Sequence, residues 1–206
     1  MESSVRPGNL RQSPPQESGG ERTRERRGNG MFGFTVFLLS ESMVFLSFFV
    51  TYIALRLTTP DWLPAGVPKL EVFKPALNTV VLVSSSFVIF FAERALKRHN
   101  LIKFRWLWLA TSVLGAFFLA GQAMEWSHLS FGLTSGLFGA TFYLLTGFHG
   151  LHVLAGILLQ LLMLARSFIP GNYSAGHFGV SAASVFWHFV DGIWIVLFSL
   201  LYLWQP

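Results

Sequence analysis

The stretch Phe186-Trp187-His188-Phe189-Val190-Asp191-Gly192-Ile193-Trp194 sets an imidazole and a carboxyl group three residues apart inside a long apolar and aromatic run. A charged group inside a membrane span costs about 2.5–3.5 kcal/mol on insertion scales. Ionisable residues in such a run therefore face other helices or water, and they commonly mark a functional site. Two further apolar runs share this feature, one around Gly147–His152 and one around Glu41. Buried polar groups at three points of an apolar chain are the main indication of its function.

The composition of the chain is that of a membrane protein. Of 206 residues, 52% are hydrophobic and 12% charged, 22 are Phe, and the mean hydropathy is +0.53. The isoelectric point near 10.0 does not indicate nucleic-acid binding, because the basic residues lie in short flanks between apolar runs. The absence of cysteine excludes disulfides and thiolate metal sites. The first 30 residues are polar and Arg-rich, so no signal peptide is evident.

Five apolar runs are each long enough to span a membrane, which takes about 20 residues. They must be helical, because an α-helix satisfies its own backbone hydrogen bonds in lipid. The predicted fold is an all-α polytopic bundle of five transmembrane helices in residues 31–206. A polar stretch over residues 1–30 precedes it and is predicted to be a disordered cytoplasmic tail. The predicted spans cover residues 31–57, 75–96, 104–125, 137–166 and 182–204.

The distribution of positive charge predicts the orientation in the membrane. With a cytoplasmic N-terminus, the opposite side holds only Arg56, Lys69 and Lys74 of the 15 Lys and Arg residues. Lys and Arg are concentrated in cytoplasmic loops, so this orientation is favoured. The basic residues on the cytoplasmic side would be Arg6, Arg11, Arg22, Arg24, Arg26, Arg27, Arg94, Lys97, Arg98, Lys103, Arg105 and Arg166.

Glu41 lies about ten residues into the first predicted span, which puts it about 15 Å deep and close to the midplane. Two interpretations fit: an acid in a proton or ligand network, or a neutral carboxyl that hydrogen-bonds to a neighbouring helix. A charged carboxylate at this depth is costly without a partner. We therefore expect a protonated Glu41 that donates a hydrogen bond to His149 or His152.

His149 and His152 are spaced i,i+3 and share one helix face. Two imidazoles do not complete a metal site, so interhelical hydrogen bonding is the favoured role. His188 and Asp191 also share a face. A direct hydrogen bond within the chain and a polar network against a partner both fit this pair. Glu125, at the end of the third run, indicates either anchoring at the interface or a polar contact between helices.

A run of serines, Ser84-Ser85-Ser86, lies in the second span and is most simply a packing face. Several longer strings carry more specific information. They are Leu39-Ser40-Glu41, Ala76-Leu77-Asn78-Thr79, the pair Gln122 and Glu125, Gly139-Ala140-Thr141-Phe142, Gly147-Phe148-His149-Gly150-Leu151-His152, His177-Phe178-Gly179 and Trp187-His188-Phe189-Val190-Asp191.

In this order, these strings resemble subunit III of the haem–copper terminal oxidases, the cytochrome c oxidase subunit 3 family, in its five-helix form. The resemblance covers about residues 30–206. It implies a non-catalytic subunit without a redox centre, bound to the catalytic subunit I, which holds haem and copper, and to subunit II. The implied roles are to support proton uptake, stability and assembly of the catalytic subunit. The family's buried carboxyl falls on Glu41, and its second polar cluster falls on Glu125, His149, His152, His188 and Asp191.

The resemblance also implies bound phospholipid and a bacterial-type inner or plasma membrane, or another energy-transducing membrane. Larger members carry two more N-terminal helices that form a lipid-filled cleft, and this chain lacks them. Cytochrome c is favoured as the electron donor, with a quinol oxidase as the alternative. An independent transporter is less favoured, because no repeat or broken helix is evident. Six histidines and no cysteine do not suffice for a redox enzyme with haem and copper of its own.

Overall fold

The computed structural model describes residues 19–63, 70–171, 173 and 177–205, with side chains from residue 30 onward. Within these ranges the chain contains five helices long and apolar enough to cross a membrane, which confirms the predicted all-α, five-span fold. The fifth helix ends in a short π-helix, Ser199–Leu203. The helices are α1 Gly19–Thr58, α2 Phe73–Lys97, α3 Leu101–His128, α4 Gly136–Arg166 and α5 Phe178–Phe198.

The N-terminal boundary differs from the sequence-based expectation. A disordered tail was expected over residues 1–30. Residues 1–18 lie outside the described part of the chain, whereas residues 19–30 continue α1. The structure thus has a helix in part of the segment for which the sequence predicts disorder. Its Glu and Arg residues are good helix formers, and extending an existing helix avoids the cost of nucleation.

Helices α2, α3, α4 and α5 form a ring, and helix α1 lies outside it. Helix α2 packs along α3, α3 along α4 and α4 along α5, and α5 closes the ring against α2. The backbone of helix α1 runs closest to α5, and its Phe45 and Phe48 side chains pack on Phe148 of α4. The centre of the ring is aromatic, which places much of the packing energy in a few large side chains. The fully buried aromatic residues at or near this centre include Trp108, Phe118, Phe142, Trp187 and Trp194.

The indole of Trp187 on α5 contacts the other three helices of the ring. It lies between two glycines, Gly115 on α3 and Gly156 on α4. Its Nε1 donates to Ser85 Oγ on α2 at 2.8 Å. Small residues let membrane helices approach closely, and a polar link then fixes their register. The serine run of α2 is therefore more than the packing face that the sequence indicated.

Helices α2 and α3 are joined by a tight hairpin. Asn100 N donates to Ala95 O at 3.0 Å and His99 N to Leu96 O at 2.9 Å, the bonding pattern of a Schellman motif. His99 takes the left-handed conformation, with φ of 57°, where glycine is the usual residue. Asn100 then caps α3, because its Oδ1 accepts from Lys103 N at 3.0 Å. Asn100 thus completes the C-terminal cap of α2 and is also the N-cap of α3.

The connection after α4 is fastened to α3 by Arg105. The Arg105 guanidinium donates to the carbonyl oxygen and the hydroxyl of Ser167, and it lies 4.3 Å from the centre of the Phe168 ring. In the same connection, the Tyr173 hydroxyl donates to Met163 O at 2.6 Å. Burial raises the pKa of the Tyr173 phenol, so this donor stays protonated at neutral pH. These bonds hold α3, the end of α4 and the connection that follows it together at one end of the bundle.

Candidate functional site

A glutamate and a histidine meet between α1 and α4. Glu41 Oε2 lies 3.1 Å from His152 Nε2. Of the two partners expected for Glu41, the structure therefore selects His152. The side chains of Glu41 and His152 are only 22% and 14% exposed, so both are largely removed from the surroundings of the bundle. The pair lies deep in both helices, far from either end of the spans.

The other nitrogen of His152 determines where the protons are. His152 Nδ1 lies 2.9 Å from Phe148 O, one turn earlier in α4. A carbonyl oxygen can only accept, so Nδ1 carries a proton. In a neutral imidazole Nε2 is then an acceptor, and a carboxylate facing it would set two acceptors 3.1 Å apart. One proton must therefore lie between Glu41 and His152, either on the carboxyl or on the imidazole.

Aromatic rings surround this shared proton. The His152 ring lies 5.0 Å from that of Phe45, 4.7 Å from that of Phe148 and 6.4 Å from that of Phe186. These rings exclude water and lower the local dielectric constant, which strengthens a hydrogen bond that is formed and raises the cost of one that is broken. The arrangement can hold one proton in a neutral pair, and losing that proton would leave a net charge in an apolar environment.

His149 and His152 were predicted to share one face of α4, but His149 lies in a different environment from His152. It is completely buried, stacks on Trp194 at 4.9 Å between ring centres and meets the edge of Phe118 at 6.0 Å. Neither of its ring nitrogens has a hydrogen-bond partner among the described residues. A buried polar group without a partner is costly, and in His149 both ring nitrogens are in that position. It packs within the ring of helices, whereas His152 faces α1.

His188 and Asp191 are joined through a third residue. Ser86 Oγ on α2 lies 2.9 Å from His188 Nδ1 and also hydrogen-bonds to Asp191 Oδ2. The direct hydrogen bond considered for this pair is replaced by a bridge, because the α2 hydroxyl lies between the two groups. Asp191 is buried, with an Oδ1 that lacks a partner in the described structure, whereas His188 is exposed. The three side chains connect the interior of the bundle to its surface.

Glu125 joins α3 to the C-terminal π-helix. Tyr202 donates from its hydroxyl to Glu125 Oε1 at 2.9 Å, and Gln122 Nε2 lies 3.4 Å from Glu125 Oε2. Glu125 is thus in a polar contact between helical segments, one of its two predicted roles. The sequence did not indicate Tyr202 as the partner of Glu125, because a tyrosine near the end of a membrane span is common.

The six polar residues singled out in the sequence do not form one connected group. In the described structure, hydrogen bonds join Glu41 to His152, Glu125 to Tyr202, and His188 to Asp191 through Ser86, while His149 stays apart. Each of these links lies between a different pair of helical segments, so the links do not join into one network. Across the described ranges, no group of three or more His, Cys, Asp or Glu side chains converges in the way a metal ion would require.

Comparison with known proteins agrees with this architecture. The family described as "Cytochrome c oxidase subunit III" matches residues 17–206. The chain is 48% identical over 174 residues to cytochrome c oxidase subunit 3 of Synechocystis sp., which covers 84% of this chain and 75% of that protein. It is 47% identical over 175 residues to the protein of the same name from Thermostichus vulcanus, with 84% and 86% covered.

A more distant relative is also similar. Cytochrome c oxidase subunit 3 of Scyliorhinus canicula is 37% identical over 179 residues, with 84% of this chain and 69% of that protein covered. The family match extends over all five spans and the polar residues within them. The protein therefore belongs to the cytochrome c oxidase subunit III family, within the haem–copper oxidases.

Proposed function

We propose that this chain is the non-catalytic subunit III of a proton-pumping haem–copper oxidase that passes electrons from cytochrome c to oxygen. The redox centres would lie in the catalytic subunit I and in subunit II, to which this chain binds, and it would carry none of its own. Its roles would be to stabilise the catalytic subunit, assist its assembly and support its proton uptake. The protein would reside in a bacterial-type inner or plasma membrane with its N-terminus in the cytoplasm.

The Glu41–His152 pair is the observation that carries the proposed role. Its geometry requires one proton between two groups that are well removed from the ends of the helices. A pair of this kind holds a proton without net charge in an apolar environment. It also links α1 to α4, whose backbones come close at few points. A supporting subunit needs both properties, a durable membrane fold and a neutral interior beside a proton-pumping partner.

The proposed function can be tested by purifying the tagged chain from its native membrane in a mild detergent. We expect one copy of the chain per catalytic subunit, with a haem absorbance spectrum and with oxygen consumption driven by reduced cytochrome c. Depleting the chain should shorten sustained oxygen consumption while leaving the initial rate close to normal. A chain that purifies alone, with no haem protein attached, would contradict the proposal, and activity with quinol but not with cytochrome c would contradict the electron donor.

A further inference from the structure

An exposed strip of α5 lies between the two helices that flank it. Helix α1 contacts one side of α5 through Phe37 and Phe186, whose ring centres are 6.4 Å apart. Helix α2 contacts the other side through Ser86 and His188. Between these contacts α5 exposes a set of residues that we call the α5 strip. The α5 strip comprises Val185, His188, Gly192 and Ile195.

The spacing of the α5 strip is that of a helix-packing seam. Its residues are separated by three, four and three positions, the alternation by which one helix presents a continuous ridge to another. At Gly192 a Cβ atom would meet nothing within 4 Å, so the surface is open there. A small residue at the middle of a seam lets the backbone of a second helix approach closely. The strip therefore has the shape to receive one transmembrane helix.

His188 gives the strip a hydrogen-bonding group at the centre of the span. It lies about ten residues, or about 15 Å, into α5, far from the water on either side. Ionisable residues in membrane spans almost always face other helices or a water-filled cavity. Its Nδ1 is occupied by Ser86 Oγ, so Nε2 is the nitrogen left for a group outside this chain.

If the His188–Ser86–Asp191 group is electrically neutral, the positions of its protons determine whether His188 Nε2 is a hydrogen-bond donor or acceptor. In one neutral arrangement, protonated Asp191 Oδ2 donates to Ser86 Oγ, whose hydroxyl donates to His188 Nδ1, so Nε2 carries the imidazole proton. In a second, Ser86 donates to the Asp191 carboxylate and accepts from an imidazolium, so Nε2 again carries a proton. A third would put the acid proton on Asp191 Oδ1, which has no partner in the described structure. That leaves a buried donor unpaired, which is costly.

Both favourable arrangements thus make His188 Nε2 a hydrogen-bond donor that points out of the chain at mid-span. We propose that the α5 strip is the docking site for a transmembrane helix of another oxidase subunit, which presents a hydrogen-bond acceptor to His188 Nε2. A lipid acyl chain offers no acceptor at this depth, whereas a helix can offer a side-chain oxygen or a free carbonyl. This inference rests on the proposed function, because it takes its partner from the oxidase complex.

Photo-crosslinking in the assembled oxidase tests the site. p-Benzoylphenylalanine would replace Val185, and in a control the exposed Val113 on α3. We expect the probe at Val185 to give adducts with a peptide of another oxidase subunit, at several times the yield of that peptide from Val113. Adducts with lipid alone, adducts with a second copy of this chain, or equal yields from the two positions would overturn the proposal. A chain that is absent from the oxidase would instead contradict the proposed function.

Substitution of the donor supplies an independent test. His188→Leu removes the N–H group, whereas His188→Gln retains an amide donor on a side chain of similar reach. After a stringent detergent wash, we expect the Leu variant to retain roughly three- to tenfold less of this subunit in the complex, the effect of one interhelical hydrogen bond in a membrane. The Gln variant should be retained nearly as well as the wild type. Equal retention of all three proteins would overturn the proposal.

Discussion

Glu41 on α1 hydrogen-bonds to His152 on α4, with 3.1 Å between Oε2 and Nε2, and within the described residues this is the only polar side-chain link between those two helices. Helix α1 lies outside the ring formed by the other four helices, and the bond adds a polar link to its aromatic packing against α4. Its proton content follows from the neighbouring carbonyl of Phe148, which keeps His152 Nδ1 protonated. The link is therefore structural and proton-dependent at the same time.

Replacing the carboxyl tests this link. Glu41→Gln supplies an amide donor to His152 Nε2, so subunit content and initial oxygen consumption should stay close to normal. Glu41→Ala leaves Nε2 without a partner and opens a void, which should weaken the attachment of α1 by about 0.6–1.7 kcal/mol. We expect the Ala variant to lose activity sooner during continuous turnover, as measured with an oxygen electrode.

The exposed Glu71 gives a matched control, since Glu71→Gln changes the same group outside the bundle and should have no effect on turnover. If Glu41→Gln in a fully assembled complex stopped oxygen reduction at once, the supporting role would have to be replaced by a direct role in catalytic proton transfer.

Two glycines should resist even the smallest substitution. A Cβ atom at Gly115 would lie 2.5 Å from Trp187 Cη2, and one at Gly156 would lie 2.8 Å from Trp187 Cε3. The buried indole cannot move aside, so Gly115→Ala and Gly156→Ala should each destabilise the bundle by about 1–3 kcal/mol. The measurement is the temperature at which the subunit unfolds in the purified complex.

Gly33→Ala is the control for this pair, because a Cβ atom there meets nothing within 4 Å. It should be neutral or slightly stabilising, since alanine favours a helix over glycine by about 1 kcal/mol. Similar melting temperatures for all three variants would show that the indole is not closely held between the glycines.

Arg105 should not tolerate lysine. Its guanidinium makes two hydrogen bonds to Ser167 and stacks on Phe168, and an ammonium group cannot reproduce that planar arrangement. Arg105→Lys should cost about 1.5–3 kcal/mol, the usual value for hydrogen bonds to a charged group. Limited proteolysis of the α4–α5 connection would detect the loosening. Arg98→Lys, at an exposed position, is the control, and the protease should cleave this variant at the wild-type rate.

The hairpin between α2 and α3 offers a stabilising change. His99 occupies the left-handed region, which costs a non-glycine residue about 1–2 kcal/mol. Glycine pays more backbone entropy on folding, about 0.5–1 kcal/mol. His99→Gly should therefore raise stability by about 0.5–1 kcal/mol, visible as a higher unfolding temperature. His99→Val should lower it, and the reverse order would contradict the conformation at this residue.

The proposed cytoplasmic location of the N-terminus can be tested directly, because the chain has no cysteine to remove. Single variants Arg24→Cys and Leu133→Cys would be labelled in sealed cells with a thiol reagent that cannot cross the membrane. We expect labelling of Leu133→Cys alone, since positive charge is concentrated on the side of Arg24. Strong labelling of Arg24→Cys from outside would reverse the orientation of all five spans.

Helix ends were predicted less well than helix cores. The span at the C-terminus was expected from residue 182 and begins at Phe178, and α1 begins well before residue 31. Hydropathy identifies the part of a helix that lies in lipid, but polar helix formers can extend it into water. The hydrophobic runs therefore located every span without locating where each helix stops.

The sequence by itself determined the five membrane spans, their all-α character, the family and which ionisable residues lie within the spans. These follow from local composition and from short strings, which need no knowledge of the fold. Only the tertiary structure decided the partners: His152 and not His149 for Glu41, Tyr202 for Glu125, and Ser86 as the bridge between His188 and Asp191. Each partner depends on the rotation and register of one helix against another. Side-chain packing between helices sets both, and hydropathy along a single segment does not encode them.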